Sequence, residues 1–231
     1  MSRETQGRSM AGRDGAGVRP RHRRAAGGRP AAPARDDSPG AILVRHGQTE
    51  WSLSGRHTGL SDIPLTARGE RDARRLAQRL RGLAFAQVLV SPLRRALRTC
   101  ELAGFGALAR VEPDLLEWNY GQFEGRRTAE IRAERPGWRL FRDGCPGGES
   151  PQAVAARADR IIARIRSTEG LTLLVSSGHI LRVLAARWLD LPPAAGSLFL
   201  LETASVSRLG YEHDRSEPVV RLWNDTGGGR R

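Results

Sequence analysis

Three short apolar runs along the chain end in the same way. Ala41-Ile42-Leu43-Val44 runs into Arg45-His46-Gly47, Val88-Leu89-Val90 into Ser91-Pro92-Leu93-Arg94-Arg95, and Leu171 to Val175 into Ser176-Ser177-Gly178-His179. Short continuous apolar runs followed by small and polar residues predict buried strands, each leading into a turn. Between them the period changes. Thr66 is a candidate N-cap with Glu70 in the first turn, and Ala73, Leu76, Ala77 and Leu80 share one face until Gly82. A second helix is predicted from Ser150, with Pro151 at its first position and a stripe of Val154, Ala155, Ala158, Ile161, Ile162 and Ile165. A third, from about Ile180 to Leu189, is apolar on most sides and stops before Pro192-Pro193.

Strand, helix, strand in alternation implies an α/β fold, a three-layer sandwich with a mostly parallel central sheet and helices on both faces. In such sheets ligands sit beyond the carboxyl ends of the strands, so the polar residues at 45–47, 91–95 and 176–179 are expected to converge on one edge. The 231 residues fit one domain of about 190 residues plus a tail better than two domains. The expected organisation is a disordered tail over 1–40, one domain over 41–225, and a flexible end over 226–231. No internal repeat is present.

The net charge of +13 looks at first like a nucleic-acid signature, but the chain has no lysine, and all 38 basic residues are arginine. That skew reads as codon bias in a GC-rich genome rather than as design for a partner. Residues 1–40 hold nine arginines against Glu4, Asp14, Asp36 and Asp37, with many Gly, Pro and Ala and no periodic apolar face. Such a segment cannot bury enough apolar surface to order itself. Its acidic residues and Gly/Pro content argue against a transit peptide, and a start at Met10 or later is an equal reading of it. No run of about 18 apolar residues exists to span a bilayer, and no apolar stretch follows the basic start as a secretory signal requires, so a cytoplasmic protein without a membrane partner is expected. Cys100 and Cys145 are too few for a disulfide scaffold and lack zinc-site spacing; both read as reduced, structural thiols.

Arg45-His46-Gly47 sets a guanidinium and an imidazole just past a strand, with a glycine that permits a sharp turn or close approach to a ligand. The arginine fork suits phosphate or carboxylate, and a neutral imidazole can be nucleophile or base. Arg95 adds a cation where a helix start already favours anions, although Arg94 and Arg98 are near and composition does not say which turns inward. Glu117, in Leu115-Leu116-Glu117-Trp118-Asn119-Tyr120-Gly121, is an acid among apolar and aromatic residues. Partial burial would raise its pKa, as a general acid near neutral pH requires; the alternative is a carboxylate that merely pairs with an arginine.

Together these segments resemble the histidine phosphatase superfamily, also called phosphoglycerate mutase-like. The resemblance rests on Leu43-Val44-Arg45-His46-Gly47-Gln48-Thr49-Glu50-Trp51, Thr58-Gly59-Leu60-Ser61-Asp62-Ile63-Pro64-Leu65-Thr66, Ser91-Pro92-Leu93-Arg94-Arg95-Ala96 with Thr99, and Glu117 to Gly125. It spans about residues 41 to 225 and selects Arg95 among the arginines. Trp51 to Gly55, Asp143-Gly144-Cys145 and Gly147-Gly148-Glu149-Ser150 look most like the branch of small bacterial acid phosphatases and fungal sedoheptulose bisphosphatases. The resemblance implies a metal-independent phosphomonoesterase without cofactor, acting on a small phosphorylated metabolite. His46 attacks phosphorus, Glu117 protonates the leaving oxygen, and water hydrolyses the phosphohistidine. Arg45, Arg95, Ser177 and His179 are the implied phosphate-binding residues, and Ser52, Thr58 and Gly59 the substrate-binding ones.

One motif departs from the family. Its third segment usually reads Ser-His-Gly, and the first histidine there binds the phosphate; aligned on Gly178, that position is Ser177. A serine can donate a hydrogen bond but carries no charge. By analogy with losing one oxyanion donor, the cost is about 10²–10³ in rate. His179, two positions along, points elsewhere on a regular helix. The alternatives are therefore an attenuated member that binds a phosphorylated ligand, or a mutase-like phosphoryl transferase. A serine-hydrolase reading fails for want of a Gly-x-Ser-x-Gly elbow. The reading is against a nucleic-acid partner, the arginine-rich tail being the segment where binding by charge is conceivable. Oligomeric state and the physiological substrate are not legible.

Overall fold

The computed structural model describes residues 39–228. Most of the two expected tails, residues 1–38 and 229–231, lies outside the described residues. In chain order the elements are β1 (Gly40–Arg45), α1 (Glu50–Ser54), α2 (Ala67–Arg79), β2 (Phe85–Val90), α3 (Arg94–Leu102), β3 (Ala109–Val111), α4 (Thr128–Glu134), α5 (Leu140–Asp143), α6 (Pro151–Arg166), β4 (Leu171–Ser176), α7 (Gly178–Trp188), β5 (Val206–Tyr211) and β6 (Pro218–Asp225), with short 3-10 turns between.

The local signals act as their chemistry dictates. Thr66 caps α2 by accepting from the Gly69 N–H, and Ser150 caps α6 by accepting from Ala153, with Pro151 at a position whose N–H needs no partner. Loss of either hydroxyl costs about 1 kcal/mol.

The strands form one six-stranded sheet in the order β3-β2-β4-β1-β5-β6. β1, β2, β3 and β4 run parallel, whereas β5 pairs antiparallel with β1 and β6 antiparallel with β5. β4 is central and buried along its whole length, and within it the Thr172 hydroxyl accepts from the Gln87 amide. Alternate residues feed two cores. Leu43, Leu89 and Leu174 pack with Trp118, Ile161 and Trp188 on the α6 and α7 side. Ile42, Val88 and Leu173 pack with Leu76, Ala96 and Cys100 on the α2 and α3 side. Both faces being covered makes three layers, and explains why these strands read as unbroken apolar runs.

The carboxyl ends of β1, β4 and β2 are tied together: His46 N–H donates to the Ser176 carbonyl (2.8 Å) and Ser91 N–H to the Val175 carbonyl (3.0 Å). The three polar turns therefore do meet on one edge. Both cysteines are buried and unpaired, and burial pushes each thiol up to about 12.

Candidate functional site

His46 follows the last residue of β1. Its Nδ1 lies 2.7 Å from the Gly47 carbonyl oxygen. A carbonyl only accepts, so Nδ1 carries the proton and Nε2 presents a lone pair. Burial, and then the Arg95 and Arg45 cations, hold its pKa well below the usual range, which keeps the ring neutral. Gly47 serves packing rather than approach to a ligand: a Cβ there would meet the Gly69 carbonyl oxygen at 2.5 Å, and one on Gly69 would meet the Gln48 oxygen at 2.2 Å. The histidine turn is thus pressed onto the start of α2, and Gly47 N–H donates to Thr99 Oγ1 on α3.

Arg45 donates from one terminal nitrogen to the Leu201 carbonyl (2.5 Å), while its buried Nε has no partner. The start of α7 lies on this guanidinium, since a Cβ on Gly178 would meet Nε at 3.3 Å. Arg95 is the arginine of its segment that turns inward. It is fully buried, whereas Arg98 pairs with Glu70 and Glu101 outside and Arg94 is exposed. Its terminal nitrogens hold the loop carbonyls of Thr58, Gly59 and Ser61, and its buried Nε is unpartnered.

Glu117 differs from the expectation of a raised pKa. Its Oε1 accepts from the N–H groups of Trp118 and Ile180, and its Oε2 from that of His179, all at 2.9 Å. Burial pushes the carboxyl up, but the hydrogen bonds and charge of His179 and the Trp118 N–H outweigh it and hold the group below the usual carboxylate range. Because Ser177 caps α7 without a side-chain bond, Glu117 does so instead, and a helix start favours a carboxylate in its ionised form.

Arg45, His46, Glu117, His179, Ser52 and Thr58 line a common cavity of about 250 Å³. Ser52 Oγ is committed to the cap of α1, accepting from Thr49 N–H. Ser177 and Arg95 are not on its wall; they lie buried, with Ser177 Oγ lacking a partner. Gly59 is also off the wall. Its N–H donates to Glu124, its carbonyl accepts from Arg95, and a Cβ would meet Glu124 Oε2 at 2.5 Å. Its place in the structure is therefore that of a loop anchor.

Among the lining residues that were missed are His57, Tyr120, Thr128 and Arg182. Arg182 had a signal, lying three positions after His179 on the same helical face. Tyr120 sat inside a quoted motif segment and His57 between two of them, but neither carried a cue of burial. Thr128 opens α4, a helix too short to read from its period.

The family model of the histidine phosphatase superfamily (branch 1) matches residues 41–226. An acid phosphatase of Mycobacterium tuberculosis is 42% identical over 176 residues, covering 74% of this chain and 86% of that protein. The sedoheptulose 1,7-bisphosphatase of Saccharomyces cerevisiae is 38% identical over 218 residues, covering 80% and 79%. Among solved structures, an open reading frame of M. tuberculosis superposes with a TM-score of 0.76 at 39% identity, over 80% of this chain and 96% of that one. With a neutral imidazole beside the buried Arg95 and the half-buried Arg45 at the edge of this sheet, the chain belongs to branch 1 of the histidine phosphatase superfamily.

Proposed function

We propose that the protein is a metal-independent phosphomonoesterase that hydrolyses a small phosphorylated metabolite through a phosphohistidine at His46. The observation that carries this is the tautomer of His46: with Nδ1–H committed to Gly47, Nε2 is the free lone pair in a cavity that also holds Arg45 and Glu117. The Arg45 and Arg95 cations act on that ring, and their buried Nε atoms, like the Ser177 hydroxyl, have no partner, which leaves unspent donors of the kind an anion takes up.

Nε2 attacks phosphorus in line, the alcohol departs, and water then displaces the phosphoryl group from the imidazole, releasing inorganic phosphate. The arginines spread the charge of the equatorial oxygens, a contribution made by position and electrostatics. The acid phosphatase and bisphosphatase relatives support hydrolysis as the outcome.

The test is a panel of small phosphate monoesters, followed by release of inorganic phosphate. Turnover by the wild type and its loss in His46→Ala support the reading; retained turnover in His46→Ala refutes it. Ser177 favours one second reading, an attenuated member that binds phosphorylated ligands, and tight binding without turnover across the panel is the result that selects it.

A further inference from the structure

A second cavity of about 410 Å³ adjoins the nucleophile's cavity, and His57, Thr128 and His179 line both. Its other walls include Trp138, Phe141, Ser197, Arg132, Arg139 and Arg142, and no acidic residue lines it among the described residues. The nucleophile's cavity sets Arg45, Arg56 and Arg182 against Glu117 alone, and Glu117 already accepts three N–H bonds. The reacting phosphoryl group answers the cations around His46. The positive charge continues past them into the space that receives the carbon body of a substrate.

These arginines differ in how they are held. Arg132 donates to the Trp138 carbonyl, and Arg142 to Asp143 and the Gly137 carbonyl. Arg139 is exposed, where water screens its charge. Arg182, on α7, is half-buried and fixed from two sides. Its Nε donates to the Gly196 carbonyl (3.0 Å) and one terminal nitrogen to the Ser197 carbonyl (3.2 Å), while the guanidinium lies 4.6 Å from the centroid of the Phe141 ring. That turn is itself pressed onto Phe141, since a Cβ on Gly196 would meet the ring at 2.7 Å. The other terminal nitrogen of Arg182 has no hydrogen bond among the described residues. Burial lowers the Arg182 pKa, Glu117 opposes this and Arg45 adds to it, yet a guanidinium keeps its charge. A cation already immobilised and partly desolvated, with one N–H edge uncommitted, loses little further freedom on taking an anion. Phe141 and Ser197 are walls of the larger cavity and Arg182 of the smaller, so this cation stands where the two meet.

We infer that Arg182 is a specificity-determining residue that holds a second anionic group, phosphate or carboxylate, on the carbon body of a substrate whose reacting phosphoryl group lies at His46. This rests on the phosphohistidine reading and names the substrate class within it: a small diol bisphosphate or a phosphorylated hydroxy acid, rather than the ester of a neutral alcohol. No bond forms or breaks at Arg182. Its charge-assisted hydrogen bond selects the ester and fixes its direction in the joined cavities, which places the phosphoryl group in line with His46.

The experiment compares alkyl phosphates, phosphooxy-alkanoates and alkanediol bisphosphates over a short series of matched chain lengths. For each, kcat/KM is measured with the wild type, Arg182→Gln and Arg182→Lys, and affinity is measured by calorimetry on His46→Ala with and without Arg182→Gln. At the best chain length a doubly anionic ester is expected to exceed the alkyl phosphate by about 10–100-fold, the value of one hydrogen bond to a charged group. Whether the carboxylate or the bisphosphate series shows the preference identifies the second group. Arg182→Gln is expected to remove most of the preference and Arg182→Lys to keep part of it. Because the readout is a ratio between esters, general damage to the site cancels. No preference at any length, or a preference that survives in Arg182→Gln and so belongs to the overall positive field, overturns the assignment. Turnover of alkyl phosphate without selective binding defeats only the role of Arg182. Selective binding that depends on Arg182, with no turnover of any ester by the wild type, defeats the hydrolase reading and leaves that role standing.

Discussion

At the scale of single residues, the site is set by which atoms are already satisfied. His46 has one nitrogen committed and one free, and Arg45, Arg95 and Ser177 each keep one buried atom without a partner. Ser177 is the position where the family usually has an imidazole, and a hydroxyl there supplies a hydrogen bond without charge. Ser177→His is expected to raise turnover of an aryl phosphate by about 10²-fold, the value of one restored donor. Unchanged or lower turnover, with the fold intact by thermal melt, would show that Ser177 is no handicap. The positions of His46, Arg45, Arg95, Ser177 and Glu117 could be picked out because they stand where apolar runs give way to polar turns or in motif segments. The ionised state of Glu117 was not, because it depends on N–H groups from α7, some sixty positions away, and no local pattern carries that.

At the scale of elements, the site is a meeting of helix starts with strand ends. Glu117 acts as the cap of α7, reaching the N–H groups of His179 and Ile180. Glu117→Gln keeps the shape but removes the charge and turns an amide NH₂ toward backbone donors. It is expected to cost about 1–3 kcal/mol in a urea titration; an unchanged midpoint would refute the capping role. Gly69, where α2 meets the histidine turn, leaves no room for a methyl group because backbone oxygen would lie 2.2 Å away. Gly69→Ala is therefore expected to displace His46 and to cut kcat/KM more than it lowers the melting temperature of the remaining fold. The helices α2, α6 and α7 and strands β1, β2 and β4 could be read from period and caps. The edge strands could not. β3 is three residues long, and β6 is half exposed with no clean alternation, so their place is decided by pairing partners that local sequence does not reveal.

At the scale of the whole molecule, the described fold buries His46 and His57 with lowered pKa values, which makes it sensitive to acid. Burial, then the nearby His179, lowers the pKa of His57 from 6.5 to about 4. A histidine whose pKa is depressed in the fold contributes stability that is present above about 6.5 and is lost as pH falls through about 4, roughly 3 kcal/mol in all. His57→Gln is expected to flatten the decline of melting temperature between those limits, and a decline as steep as that of the wild type would refute it. The net charge of +13 is carried by arginines that, in the described domain, are largely spent on carboxylates and carbonyls, as with Arg157 on Glu149 and the carbonyls of Asp114 and Leu116. We expect deletion of residues 1–38 to leave turnover unchanged, since each residue assigned to the proposed site lies among the described residues 39–228. The central claim, that chemistry passes through His46, is tested most directly by quenching the reaction under alkaline conditions and mapping the phosphoryl adduct by peptide mass spectrometry. An adduct on the peptide carrying His46, absent from His46→Ala, is the expected result; turnover with no adduct, or an adduct on any other residue, would contradict it.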